Sequence, residues 1–127
     1  MTALALVRMS ESPEWEDVCA LDQVLPGTGV CALVAGRQVA VVRTKDAVYA
    51  LGNFDPFSKA YVLSRGIVGD RAGVPKIASP IYKQSFDLRT GVCLDDPKVR
   101  LPVHEVRVER GRILVRCHPR SGGPVGD

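Results

Sequence analysis

The side chains that could carry out chemistry in this 127-residue chain are few and poorly matched to one another. There are two histidines, His104 in an expected strand and His118 near the C-terminus. Cys117 and His118 are adjacent, so in an extended chain they point to opposite faces and cannot act as nucleophile and base. The other cysteines, Cys19, Cys31 and Cys93, are scattered, and none forms a Cys-x-x-Cys pair with metal-ligand spacing. Isolated cysteines in runs such as Val30–Val34 read as small buried hydrophobes in a reducing compartment. Asp95-Asp96 precedes Pro97 and reads as a turn. No phosphate-cradling glycine loop, zinc-binding helix motif or nucleophile elbow is present. The chain alone is therefore expected to hold no catalytic residues and no metal.

One stretch stands out. Ser79-Pro80-Ile81-Tyr82 is followed by Phe86-Asp87 and then Thr90-Gly91. Upstream, Asn53-Phe54-Asp55-Pro56 follows the apolar run Ala47 to Leu51. Six of the seven aromatic residues fall between Tyr49 and Phe86, gathered around these two segments. Either they fill the core or some line a contact surface.

The elements that must position these segments are short and extended. Val30–Val34, Val39–Val42, Ala47–Leu51, Val74–Ala78, Ser85–Leu88, Val103–Glu109 and Ile113–Val115 are apolar or alternating runs. Turn residues such as Ala35-Gly36-Arg37, Arg89-Thr90-Gly91 and Arg110-Gly111 divide them. That spacing predicts an all-β sandwich or small barrel. Phe57 to Arg65 lies between Asp55-Pro56 and Gly66, start and stop chemistry that predicts one short helical insertion of about two turns, either α or 3₁₀. Leu21 to Leu25 is a second, weaker helical candidate.

Composition bounds the rest. Apolar residues make up 46% and charged residues 24%, with a net charge of +3, ordinary values for a soluble single domain. Basic residues are interleaved with acidic ones, which argues against nucleic-acid binding. The run Ala3 to Val7 is too short for a signal peptide, and no apolar stretch approaches a bilayer span. A cytoplasmic protein is expected, with a flexible arm over 1–13, one domain over 14–117 and a disordered Gly/Pro-rich tail over 118–127.

The Ser79–Gly91 frame resembles the second ligand loop of Rieske [2Fe–2S] domains, which reads Cys-Pro-x-His, a spacer, Phe-Asp and Thr-Gly. Asn53 and Asp55 fall where the family has the cysteine and histidine of the first loop; Ser79 and Tyr82 fall where it has those of the second. Twenty-three residues, Pro56 to Ala78, separate the loops. Further blocks resemble one branch, the small subunits of NAD(P)H-dependent nitrite reductase: Trp15 to Cys19, Pro26 with Gly29 to Leu33, Asn53 to Phe57, Val62 to Gly66, and Ala78 to Leu88.

The resemblance implies a Rieske-like fold and a partner, the large subunit, carrying flavin (FAD), a [4Fe–4S] cluster and sirohaem and reducing nitrite to ammonium. On this chain it implies degenerate ligand positions, Asn53, Asp55, Ser79 and Tyr82, since a Rieske cluster needs two thiolates and two imidazoles. No cofactor is then expected here, and a ferredoxin-type electron carrier is disfavoured. A stand-alone binding module of the same fold is the alternative. Tyr82 is expected to fill the cluster volume and to hydrogen-bond Asp55. Phe54, Phe57, Tyr61, Arg65 and Tyr82 are expected to meet the partner.

Overall fold

A computed structural model describes residues 14–117. The expected arm over 1–13 and tail over 118–127, with His118, lie outside the described residues. Eleven strands are formed among the described residues: β1 (Glu16–Ala20), β2 (Thr28–Val34), β3 (Arg37–Arg43), β4 (Val48–Gly52), β5 (Phe54–Asp55), β6 (Ala60–Tyr61), β7 (Ile67–Arg71), β8 (Val74–Ala78), β9 (Ser85–Asp87), β10 (Val103–Glu109) and β11 (Arg112–Arg116). There is no α-helix among them. The fold is the all-β architecture expected. A six-stranded antiparallel sheet, ordered β1-β11-β10-β4-β3-β2, curls into a nearly closed barrel. A three-stranded sheet β7-β8-β9 and the two-stranded β5-β6 complete it.

β3 explains how the layers join. Its run Val39-Ala40-Val41-Val42 is wholly buried. Alternate side chains of a strand face opposite ways, so Val39 and Val41 enter the barrel interior with Val34, Ala50, Ile113 and Val115. Ala40 and Val42 face outward onto Leu63, Ile77, Phe86 and Leu88. Two cores thus share one strand, and an unbroken apolar run is the sequence such a strand requires. Two-residue turns at Ala35-Gly36, Ala72-Gly73 and Arg110-Gly111, all at positive φ, close the β2–β3, β7–β8 and β10–β11 hairpins.

The helical insertion is present only as a short 3₁₀ turn at its end, not as two turns. Phe57 to Arg65 instead makes one tight turn, the β5–β6 pairing Phe54↔Tyr61 and Asp55↔Ala60, and a 3₁₀ turn at Leu63–Arg65. Lys59 adopts a left-handed backbone at φ 62°, which ends any helix after its first turn. Asn53 then draws the chain back by accepting from the Leu63 and Ser64 amides. Leu21–Gln23 is likewise a single 3₁₀ turn. Val92 and Cys93 make isolated bridges with Arg100 and Phe86 and no longer strand. The expected burial of cysteines holds for Cys93 and Cys117; Cys19 is half-buried and Cys31 is exposed, because its side chain faces outward from β2.

Candidate functional site

The two singled-out segments meet at one end of the barrel, where β4 runs into β5 and β8 into β9. Asn53 is almost fully buried and acts as a hub. Its backbone amide donates to Gln38 O (3.1 Å), and its Oδ1 accepts from Ser64 N (2.7 Å). Its Nδ2 donates to Gln38 Oε1 (3.1 Å) and reaches Cys31 Sγ (3.5 Å). All of this side chain's bonds run to its own protein walls.

Asp55 is 0% exposed. Asp before Pro favours a tight turn in which the carboxyl accepts amides just downstream. Here Oδ1 accepts from Phe57 N (2.9 Å), and Oδ2 accepts from Ser58 Oγ (2.7 Å). The same Oδ2 accepts from Ser79 Oγ at 2.6 Å, across 24 positions of sequence. Ser79, also buried, takes Ile81 N on its hydroxyl at 3.2 Å. One short hydrogen bond therefore joins the two loops directly. A burial of this kind is tolerable because three donors replace the water that a carboxyl loses.

The loops are built alike. Lys59 N donates to Asp55 O (2.7 Å) and Lys83 N to Ser79 O (3.1 Å), each a turn of five residues opening X-Pro. Both lysines sit in the left-handed region, at φ 62° and 69°. Beneath the second loop, Phe86 packs in the core and Asp87 receives a forked Arg89 guanidinium at 3.2 and 3.1 Å plus Arg89 N at 2.8 Å. Burial pushes the Asp87 carboxyl up, but the Arg89 side-chain and backbone bonds and its charge outweigh it, leaving the carboxyl below its ordinary range. Asp95 is lowered by the Ser85 amide and by Arg71, which binds it at 3.2 Å.

One expectation needs correction. Tyr82 does not enter the loop junction: it is 61% exposed, and Asp55 takes Ser79 and Ser58 instead. The physical reason is size and order of contact, since the Ser79 hydroxyl bonds Asp55 directly and leaves no gap for a ring. Phe57 is half-buried; it lies 6.2 Å from Phe86 and packs against the core. Phe54 and Tyr61 do pair, at 5.0 Å, and Arg65 is exposed. Sequence reasoning missed Ser58, Gln38, Lys59, Ile81 and Lys83. Only Ser58 had a signal, a hydroxyl three places after an Asp-Pro turn start. His104 is buried in β10. Among the described residues no group of three or more His, Cys, Asp or Glu side chains converges as a metal site.

Residues 14–116 match the Rieske-like [2Fe–2S] domain family. The chain is 43% identical over 105 residues to the nitrite reductase (NADH) small subunit of Salmonella typhimurium, covering 81% of this chain and 97% of that one. This chain belongs to the Rieske-like family of nitrite reductase small subunits. A solved structure of a Mycobacterium tuberculosis protein, described as an NADH-dependent nitrite reductase small subunit, superposes with a TM-score of 0.81 at 50% identity, over 85% of this chain and 98% of that one. In the NAD(P)H nitrite reductase large subunit of Klebsiella oxytoca, 104 residues are 41% identical to this chain, covering 82% of it but 11% of that polypeptide. A small-subunit domain can thus be part of a large-subunit chain. No helix among the described residues of this small subunit is long and apolar enough to cross a membrane.

Proposed function

We propose that this small subunit of NAD(P)H nitrite reductase works without a redox centre of its own, supporting a large subunit that carries FAD, [4Fe–4S] and sirohaem and reduces nitrite to ammonium. The observation that carries the reading is the junction between the loops. A Rieske cluster needs two thiolates and two imidazoles converging on two irons. Asn53, Asp55, Ser79 and Tyr82 occupy the matching positions; amide, carboxylate, hydroxyl and phenol are poor donors to such iron.

Their geometry agrees with their chemistry. Asn53 is turned into Ser64 and Gln38, Tyr82 is turned to solvent, and Asp55 and Ser79 bond each other. The four positions do not fit the cluster, so no electron step is routed through this chain. A hydrogen bond does what a cluster does mechanically, tying the loop tips together, while electron transfer is left to the partner. The Klebsiella large subunit supports that partnership, because one polypeptide there contains both parts.

The test is reconstitution. Large subunit purified from cells lacking this chain is assayed for nitrite-dependent NAD(P)H oxidation with and without it. Restored turnover is expected from the iron-free chain. Restoration that requires iron and sulfide loading of this chain would refute the reading.

A further inference from the structure

Four of the seven large hydrophobic side chains exposed among the described residues lie at the loop end: Tyr61, Ile67, Ile81 and Tyr82. Tyr61 belongs to the first loop and packs its ring at a tilt against Phe54. Ile81 and Tyr82 form the tip of the second, and Ile67 stands opposite Ala78 where that loop begins. The Asp55–Ser79 bond brings these segments into one surface. Exposed aromatic residues gathered in this way mark contact sites rather than ordinary surface.

The charges there are of one sign. Residues 53–66 and 79–86 contain Lys59, Arg65 and Lys83, all exposed, and a single carboxylate, Asp55, which is fully buried. The neighbouring exposed carboxylate that touches this region, Asp95, is paired with Arg71. The ionisable side chains that the two loops present to solvent are thus three cations and the phenols of Tyr61 and Tyr82.

The backbone singles out two of the cations. Five non-glycine residues have positive φ among those described. Ala35, Ala72 and Arg110 each precede a glycine in a hairpin turn that demands it. Lys59 and Lys83 do not. Each stands at the end of the turn begun by Asp55 or Ser79, the two residues that join the loops. A left-handed backbone is strained at a residue with a side chain, and glycine would relieve that strain.

We propose that this loop end is the docking surface for the nitrite reductase large subunit, and that its partner face is an acidic rim around an apolar hollow: the rim receives Lys59, Lys83 and Arg65, and the hollow receives Tyr82 and Ile81. The proposal rests on the small-subunit reading and adds the place and chemistry of contact. The fused Klebsiella polypeptide favours the large subunit as occupant, since tethering keeps such a surface near its partner at high effective concentration.

The test uses the full chain and purified large subunit, with binding kinetics followed at low and high salt. Lys59→Glu with Lys83→Glu is expected to slow association about tenfold or more at low salt, an effect that fades as salt screens it. Lys45→Glu with Arg110→Glu makes the same charge change in turns at the far end of the barrel and should leave the rate close to wild type. Tyr82→Ala is expected to raise Kd about tenfold or more through faster dissociation. Lys59→Gly with Lys83→Gly should melt no lower than wild type yet bind more weakly, which a merely structural role could not produce.

A wild-type chain that binds while all loop variants bind equally well overturns the docking surface and leaves the small-subunit reading standing. A wild-type chain that does not bind the large subunit at all overturns both. Single-stranded RNA bound as tightly as the large subunit also overturns the proposal, since the cations would then serve phosphates.

Discussion

Ser79→Ala isolates the bond on which the loop junction depends. The change removes the hydroxyl that donates to Asp55 Oδ2 at 2.6 Å and accepts Ile81 N at 3.2 Å. Both Ser79 and Asp55 are fully buried, so water does not replace the lost donor readily. Asp55 keeps Ser58 Oγ on the same oxygen and Phe57 N on the other. One of three donors is therefore lost. A hydrogen bond to a charged group is worth about 1.5–3 kcal/mol, and the residual bonds argue for about 2 kcal/mol. With a urea m-value of about 1–3 kcal/mol/M, the unfolding midpoint should fall by about 1 M with the slope unchanged. The bond's own share follows from a double-mutant cycle with Asp55→Ala, which alone should cost about 3–5 kcal/mol because it orphans two hydroxyls and an amide. A coupling of 1 kcal/mol or more is expected. A loss below about 0.5 kcal/mol for Ser79→Ala, or purely additive effects, would refute the idea that this bond holds the loops together.

Tyr82→Phe should leave stability within about 0.5 kcal/mol of wild type in the same urea titration, because the phenol is at the surface. Gly91→Ala should cost about 2–4 kcal/mol, since φ is 79° there and a Cβ would overlap the Leu101 carbonyl; thermal melting checks it. The lowered carboxyls of Asp87 and Asp95 bind fewer protons in the folded than in the unfolded chain near their ordinary value of 3.8. Their contribution is fully present above that value and lost as pH falls through the lower folded values, so stability should drop with acid from about pH 4–5 downward. Arg89→Ala should flatten that acid dependence in a pH series of urea midpoints.

How much of this was legible depends on what each residue had to do. Val39 to Val42 announced a strand buried on both faces, and the glycines at 36 and 111 announced the β2–β3 and β10–β11 hairpins, so the barrel was readable. β1 and β7 were not: Glu16-Asp17 and Gly69-Asp70-Arg71 carry polar residues on exposed sheet margins, held by ladders to β11 and β8 rather than by apolar pattern. The insertion was misread because Asp55-Pro56 opens a tight turn as readily as a helix. The choice was made by distant groups, Asn53 on Ser64 and Ser79 on Asp55, that local propensity cannot weigh. The positions of the candidate site were legible through the Pro, Phe-Asp and Thr-Gly frame. Their contacts were not, and Tyr82 was placed in a gap that the shorter Ser79 closes.

Whether the two loops hold a cluster is decided by what the purified chain contains. Iron and acid-labile sulfide should be determined on full-length protein prepared and handled without oxygen, together with its visible spectrum. Far less than one iron per chain, with no absorbance beyond the protein band, is predicted. Two irons and two sulfides per chain with a visible charge-transfer spectrum would contradict it.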